Sequence, residues 1–574
     1  MRITTGKRVL AITMLVSLLL MALAGRLYRL QVEPGPEYDA RAANSQRTLA
    51  LPLGDPRGQI LDRNGLSLTD ASMQWGVAAF RSLVQDPAAA ARTLSSLLDV
   101  SEADLLAKLT ETAPVLGRQE EAVNPAPVWL ERGISPSLAA RIQSLGLPGV
   151  VIGPTRTRYG SGAVARHLVG FVNTSGGQLG LERVFDTELR GDAVPALTVR
   201  LDGRGRPMGA QAAEARVPVT GKQPYVLHTT LDRRIQQAVE TVLDRHTRDA
   251  PQAAVVVLEP RSGDVLAMAS RPNFEYEDKE RIEQENPAYE NRAAQSFAPG
   301  SVFKTVVAAA ALDKGLVRPD ERLFCDGTYH IGPNVFHDAE SKKHGWITFD
   351  EALAQSCNVV LMQVGYERLG LQGLHDATLK LGFGKVTGLL GRPWPEEQTG
   401  RVPAVDHETT VQIAIGQGHL EVTPLQVARA YAAVANGGTL PPLNLVLEIR
   451  DPAGVTVWQP PAARGQRVMS AEAARSLQRA LALATDPKGK GTGKAAWVPG
   501  VGSAGKTGTA ETGRVRTLQG GKTEPLTHAW FAGYLTTSPR YVVVVMVEDG
   551  GWGGTVAAPI FAEIGQELLA RIGD

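Results

Sequence analysis

The sequence predicts an α+β protein of more than one domain, carried behind a single N-terminal transmembrane helix. Three observations lead there. The chain has 574 residues, too many for one hydrophobic core, so two or three domains are expected. Its second half places strand-like segments at both ends with helical stretches between them, the pattern of one mostly antiparallel sheet with helices packed on it. Its start is basic, with Arg2, Lys7 and Arg8, and an apolar run follows from Val9 to Gly25. Charged residues make up 21% and hydrophobic ones 43%, which excludes global disorder. Lys and Arg number 60 against 59 Asp and Glu, so there is no basic field for nucleic acid. Two cysteines exclude a disulfide scaffold and any cysteine-built zinc cluster.

The elements follow in chain order. Residues 1–8 read as a cytoplasmic tail and 9–25 as the anchor. That run is about 17 residues, or roughly 26 Å as a helix, just enough to cross a bilayer. Positive charge before it puts the N-terminus in the cytoplasm and the bulk outside the membrane. Ala22-Leu23-Ala24 offers a rival reading as a signal-peptide cleavage site, but the apolar core is long for that. Residues 26–50 form a juxtamembrane stalk, and 51–224 a strand-rich pedestal. Within the pedestal, Asn64-Gly65 signals a hairpin. A helical insertion spans about 86–147, with helix starts at Ser101 and at Ser135-Pro136. Arg166 to Val172 reads as strand, and Leu201 to Val217 as a Gly/Arg/Pro-rich loop. Residues 225–574 form the second domain. Leu231–His246 has helical spacing, and Ala253–Leu258 with Val265–Ser270 reads as a hairpin. Thr423-Pro424 starts a helix that stops at Asn436-Gly437-Gly438. Tyr541–Val547 is a strand and Ala557–Ile572 a closing helix.

Three motifs in this domain could carry chemistry. Ser301 and Lys304, three apart, share one helix face. A serine hydroxyl needs a base, and a lysine in an apolar setting can be neutral enough to serve. The helix beyond them, Thr305–Leu312, is apolar nearly all round and so belongs in the domain's centre. Ser356 and Asn358 flank Cys357, so that a hydroxyl and an amide can enter one cleft. Lys506-Thr507-Gly508-Thr509 sets a cation and hydroxyls along an edge strand, suited to a carboxylate, with Gly508 letting a substrate backbone lie close. Taken alone, Ser301 also fits a helix cap with Lys304 a surface residue, and Ser356 with Asn358 a loop cap or turn. Gly500 to Thr507 spells a literal P-loop, but a P-loop must open a helix, and Thr509–Arg516 has no apolar helical face. His528 to Tyr534 reads as a core strand. The histidines show no metal-ligand spacing, so no metal is assigned.

Taken in order and with these long gaps, Ser-x-x-Lys, Ser-x-Asn and Lys-Thr-Gly resemble the signature of the penicillin-recognising serine transferases and hydrolases. The stretches 57–65, His167–Phe171 and Gly180-Leu181-Glu182 resemble the pedestal motifs of class B penicillin-binding proteins. Ile415-Gly416-Gln417-Gly418, Thr423–Gln426 and Ala435–Gly438 resemble their transpeptidase domain. Phe324–Gly327 resembles the elongation-type penicillin-binding protein 2 group over the division type, although Phe336-His337-Asp338 lacks a second cysteine often found there and Arg158-Tyr159-Gly160 lacks the proline many relatives carry. The resemblance implies the penicillin-binding transpeptidase fold and peptidoglycan D,D-transpeptidation of stem peptides ending in D-Ala-D-Ala, with β-lactams as covalent inhibitors. It implies Ser301 as nucleophile, Lys304 as base and Ser356 as proton relay. Asn358, Lys506, Thr507, Gly508 and Thr509 would bind substrate, and no cofactor is needed. Class B members carry no glycosyltransferase domain, so a SEDS-type glycosyltransferase in the same bacterial membrane is the implied partner. The same motifs would serve a D,D-carboxypeptidase or β-lactamase-type hydrolase, or a penicillin-binding sensor or scaffold without turnover. The pairing of Cys325 with Cys357 stays open.

Overall fold

The structure, a computed structural model, describes residues 3–31, 48–53, 57–111, 127–173, 175–191, 196–200, 213–216, 222–247, 252–276, 287–404, 406–517, 522–537 and 541–572. It divides into two compact units. One comprises Met1–Asp55, Ser72–Thr157 and Ala193–Gly221, and the other Pro56–Ala71, Arg158–Asp192 and Lys222–Asp574.

In the first unit the N-terminal helix runs Ile3–Gln31. Its stretch Val9–Arg29, 21 residues of mean hydropathy 2.1, is long and apolar enough to cross a membrane. Farther along, Ser72–Ala79 is the central strand of an antiparallel sheet, between Val128–Ile134 and Val150–Thr157. Helices Pro87–Ser95, Glu102–Thr110 and Pro136–Ser144 accompany it. Ala91, Leu94, Leu105, Leu109 and Ile142 bury their side chains in one cluster with Val77 and Leu130. Ser101 and Ser135 cap their helices as expected, accepting from the N–H groups of Asp104 and Leu138. The expected all-helical insertion is corrected at Val128–Ile134, which is a strand: Pro127 breaks any helix, and β-branched and aromatic residues follow it. A second antiparallel sheet joins Thr48–Pro52, Ala196–Arg200 and Ala213–Arg216. The last of these lies in the expected loop 201–217, whose remaining residues are outside those described.

In the second unit Ile60–Leu61 runs parallel to Val226–Thr229, which pairs in turn with Val446–Arg450. Asn64-Gly65 makes the expected tight turn, closed by a bridge between Leu61 and Ser67. The guanidinium of Arg57 is buried against the carboxylates of Glu182 and, at 2.7 Å, Asp186. Arg158 and the Tyr159 hydroxyl also reach Glu182. A buried carboxylate is tolerable only when satisfied in this way. The expected strand at Arg166–Val172 is also corrected. Arg166–Val169 is a helical turn, and only Val172–Asn173 pairs as strand. A short apolar run fits either period, and the buried His167 ring, bonded to Ala288 O at 2.8 Å, decides for the turn.

The centre of this unit is a five-stranded antiparallel sheet. Its strands are β1 (Ala253–Leu258), β2 (Val265–Arg271), β3 (Ser503–Thr517), β4 (Thr523–Leu535) and β5 (Val542–Val547), in spatial order β2-β1-β5-β4-β3. Helices around it include α1 (Arg233–His246), α2 (Lys304–Asp313), α3 (Phe349–Ala354), α4 (Asn358–Gln363), α5 (Pro424–Ala435), α6 (Ala471–Thr485) and α7 (Ala557–Ile572), with further helices at Gly370–Lys380 and His407–Ala414. Strand alternation divides the sheet's side chains between two cores. Val255, Val257, Phe531, Val543 and Val545 face α1 and α7 through Val239, Val242, Phe561 and Ile564. Val256, Trp530, Val544 and Met546 join the larger core, which holds α2 and α5. Burial on both faces explains why β1 and β5 read as continuous apolar runs. Thr423 caps α5 in a capping box with Gln426, and Pro424 occupies its first turn.

Candidate active site

Ser301 lies in the tight turn Gly300–Phe303, immediately before α2. Gly300 takes φ +56, and a Cβ there would stand 2.7 Å from Thr509 O. Only glycine lets the serine turn press so closely on β3. From the other side, a Cβ on Gly508 would lie 2.8 Å from Pro299 O. The expectation from sequence is that Gly508 makes room for substrate; the structure shows that it makes room for the serine turn. Seven of the ten residues of α2 are buried, including Lys304, as its all-round apolar sequence predicted.

Lys304 crosses to the loop between α3 and α4. Its Nζ donates to Ser356 O at 2.6 Å, Ser356 Oγ at 3.3 Å and Asn358 Oδ1 at 2.5 Å. Ser356 adopts φ +63, a left-handed conformation costly for a residue with a Cβ. Asn358 opens α4, with its N–H on Asp338 Oδ1 at 2.9 Å and its Nδ2 on His337 O at 3.1 Å. Burial lowers the Lys304 pKa to about 8, while the negative charge of Asp338 works against the fall.

The third motif lies on β3, the edge strand of the sheet. Lys506 is fully buried, and its Nζ donates to Thr507 O at 3.1 Å. Burial, and then the charge of Lys304, hold its pKa well below the ordinary lysine value. Thr507 is buried and Thr509 half-buried. The P-loop alternative fails on this geometry, because the residues after Lys506 continue as strand to Thr517. His528 is a buried β4 residue whose Nδ1 accepts from Asp549 N at 3.3 Å, consistent with a core strand.

Several neighbours carry no sequence signal. Asp338 is buried, and its carboxylate accepts from Cys357 Sγ at 3.0 Å and Cys325 Sγ at 3.3 Å, with His344 Nε2 at 3.4 Å. Cys325 and Cys357 are free thiols. Sulfur and carboxylate atoms of Cys325, Asp338 and Cys357 lie within 4.8 Å of one another. Among the described residues these three are the ones that could hold a metal ion, although burial pushes both thiols up and favours their protonated form. The assignment of no metal from sequence rested on short ligand spacings. The fold gathers these three side chains from positions 13 and 19 residues apart. Thr492 and Gly553, which touch Thr507 and Thr509, were likewise invisible in the sequence.

Comparison with known proteins accords with this geometry. The penicillin-binding protein transpeptidase domain matches residues 253–566, and the penicillin-binding protein dimerisation domain matches residues 53–225. The chain is 30% identical to the probable peptidoglycan D,D-transpeptidase PenA of Neisseria gonorrhoeae, over 90% of this chain and 84% of that one. It is similar, at 28% identity and a TM-score of 0.70, to a solved structure described as structural coordination of polymerization and crosslinking by a peptidoglycan synthase complex, covering 98% of each chain. It is also similar to penicillin-binding protein 3 of Mycobacterium tuberculosis complexed with aztreonam, at 27% identity and TM-score 0.63, over 92% of this chain and 97% of that one. A dimerisation domain ahead of a transpeptidase domain, with the three motifs converging in the latter, makes this chain a member of the class B penicillin-binding proteins.

Proposed function

We propose that the protein is a peptidoglycan D,D-transpeptidase working through an acyl-enzyme on Ser301. The observation that carries this reading is the lysine at the meeting of the motifs: buried, lowered to about 8, and within hydrogen-bond reach of Ser356 and Asn358. Neutral Lys304 takes the Ser301 proton as Oγ attacks the penultimate D-Ala carbonyl of a stem peptide. Backbone N–H groups of Ser301 and Thr509 receive the oxyanion. Ser356 passes a proton to the leaving amine, D-Ala departs, and an ester remains on Ser301. An amine of a neighbouring stem peptide then attacks that ester. The new peptide bond forms and the serine recovers its proton. Asn358 holds the donor peptide, and Lys506, Thr507 and Thr509 bind the terminal carboxylate, with Gly508 between them.

Residues 9–25 anchor the chain with its N-terminus in the cytoplasm. Residues 51–224 form the pedestal and 225–574 the catalytic domain outside the membrane. The partner is a SEDS-type glycosyltransferase, supported by the likeness to a peptidoglycan synthase complex. The test is benzylpenicillin labelling followed by peptide mass spectrometry. An adduct on Ser301, absent from Ser301→Ala, is expected. A folded protein without an adduct contradicts the acyl-enzyme. Crosslinking of a D-Ala-D-Ala peptide to an added amine, in place of simple hydrolysis, separates transpeptidase from carboxypeptidase.

A further inference from the structure

Two loops close over the edge strand that carries Lys506, Thr507 and Thr509. Thr492, in the loop after α6, is exposed, and its hydroxyl shares a 2.6 Å hydrogen bond with the Thr507 hydroxyl. Its backbone N–H donates to Ala354 O at 3.2 Å, at the end of α3 and just before Ser356. One residue thus ties the Ser356 loop to the Lys506 strand. In the loop after β5, the Gly553 N–H donates to Thr509 Oγ1 at 3.2 Å. A Cβ at Gly553 would stand 2.2 Å from Gly508 O, so only glycine brings that N–H so close.

A threonine hydroxyl has one proton to give and two lone pairs to fill. A donor from behind fills a lone pair and leaves the proton free to point into the cleft, which is what an anion requires. The Gly553 amide can only donate, so it turns Thr509 into a donor toward the cleft. Between Thr492 and Thr507 either hydroxyl can donate. Once Thr507 gives its proton to a carboxylate, Thr492 must be the donor in the pair. The resulting chain of O–H groups, each polarising the next, strengthens the terminal bond.

We propose that Thr492 is a positioning residue for carboxylate recognition: it orients the Thr507 hydroxyl toward the substrate's terminal carboxylate, as the Gly553 amide orients Thr509. This inference rests on the reading that β3 binds that carboxylate. Because Thr492 is exposed, replacing it should leave the fold intact. The experiment measures acylation of the full-length protein by benzylpenicillin and by its methyl ester, which lacks the carboxylate charge. The variants are Thr492→Val, Thr492→Ser and Thr507→Val. Thr492→Val should slow benzylpenicillin acylation by about fivefold to tenfold, the scale of one hydrogen bond. It should leave the ester's rate unchanged, and Thr492→Ser should restore the wild-type rate. Equal losses with both probes overturn the inference, as does a normal Thr492→Val beside an impaired Thr507→Val. A normal Thr507→Val would instead sink the carboxylate reading beneath it.

Discussion

The two buried lysines of the cleft differ in what surrounds them, and the difference separates their chemistry. Lys304 is met by three acceptors from Ser356 and Asn358 and feels the charge of Asp338. Lys506 is equally buried, but its one hydrogen bond among the described residues is to the neighbouring carbonyl of Thr507, and its nearest charged influence is Lys304 itself. The first environment suits a base that must lose a proton near neutral pH. The second is a desolvated cation site short of an anion, and an incoming carboxylate would restore its charge.

The largest expected effect comes from removing the base. Lys304→Met should slow benzylpenicillin acylation by roughly 10²–10⁴-fold, and a loss smaller than tenfold would move the base elsewhere. Lys506→Met should cost roughly 10²–10³-fold, chiefly for carboxylate-bearing probes. If the methyl ester suffers equally, the two lysines are not divided as described. The pH profile sharpens the contrast without mutation. Acylation should fall as pH drops through about 8, because protonated Lys304 cannot accept the serine proton. A flat rate between pH 6 and 9 would contradict this. The same lowered pKa makes folding stability rise with pH between about 8 and 10.5, where the unfolded chain holds a proton that the fold does not. The smallest effect is structural. Thr348 and Glu351 form a capping box at α3, the helix leading into the Ser356 loop. Thr348→Ala should lower stability by about 1 kcal/mol, read by thermal unfolding, with acylation nearly unchanged.

Much of the fold was legible because local signals and burial agree. The closing helix Ala557–Ile572 was read with its observed bounds, and the β1–β2 hairpin to within one residue. Where a signal was short or mixed, the reading failed: Arg166–Val169 is too brief to show a period, and Val128–Ile134 sits among Ala/Leu-rich helices. Each motif of the site was visible, yet singly two also fitted a cap or a turn and the third a P-loop. Only their order made them specific.

Residue type and spacing along single segments were enough to foretell the apolar N-terminal helix, the buried all-round apolar α2, and the three motifs in order. Only the tertiary structure decided that Lys304 meets Ser356, that Asp338 gathers Cys325, His344 and Cys357, and that Thr492 and Gly553 stand behind Thr507 and Thr509. Those encounters reach across as many as 52 residues, between Lys304 and Ser356, and none joins neighbours on one helix or strand. Sequence spacing carries no record of such meetings, since they arise from how the sheet and helices pack their apolar faces.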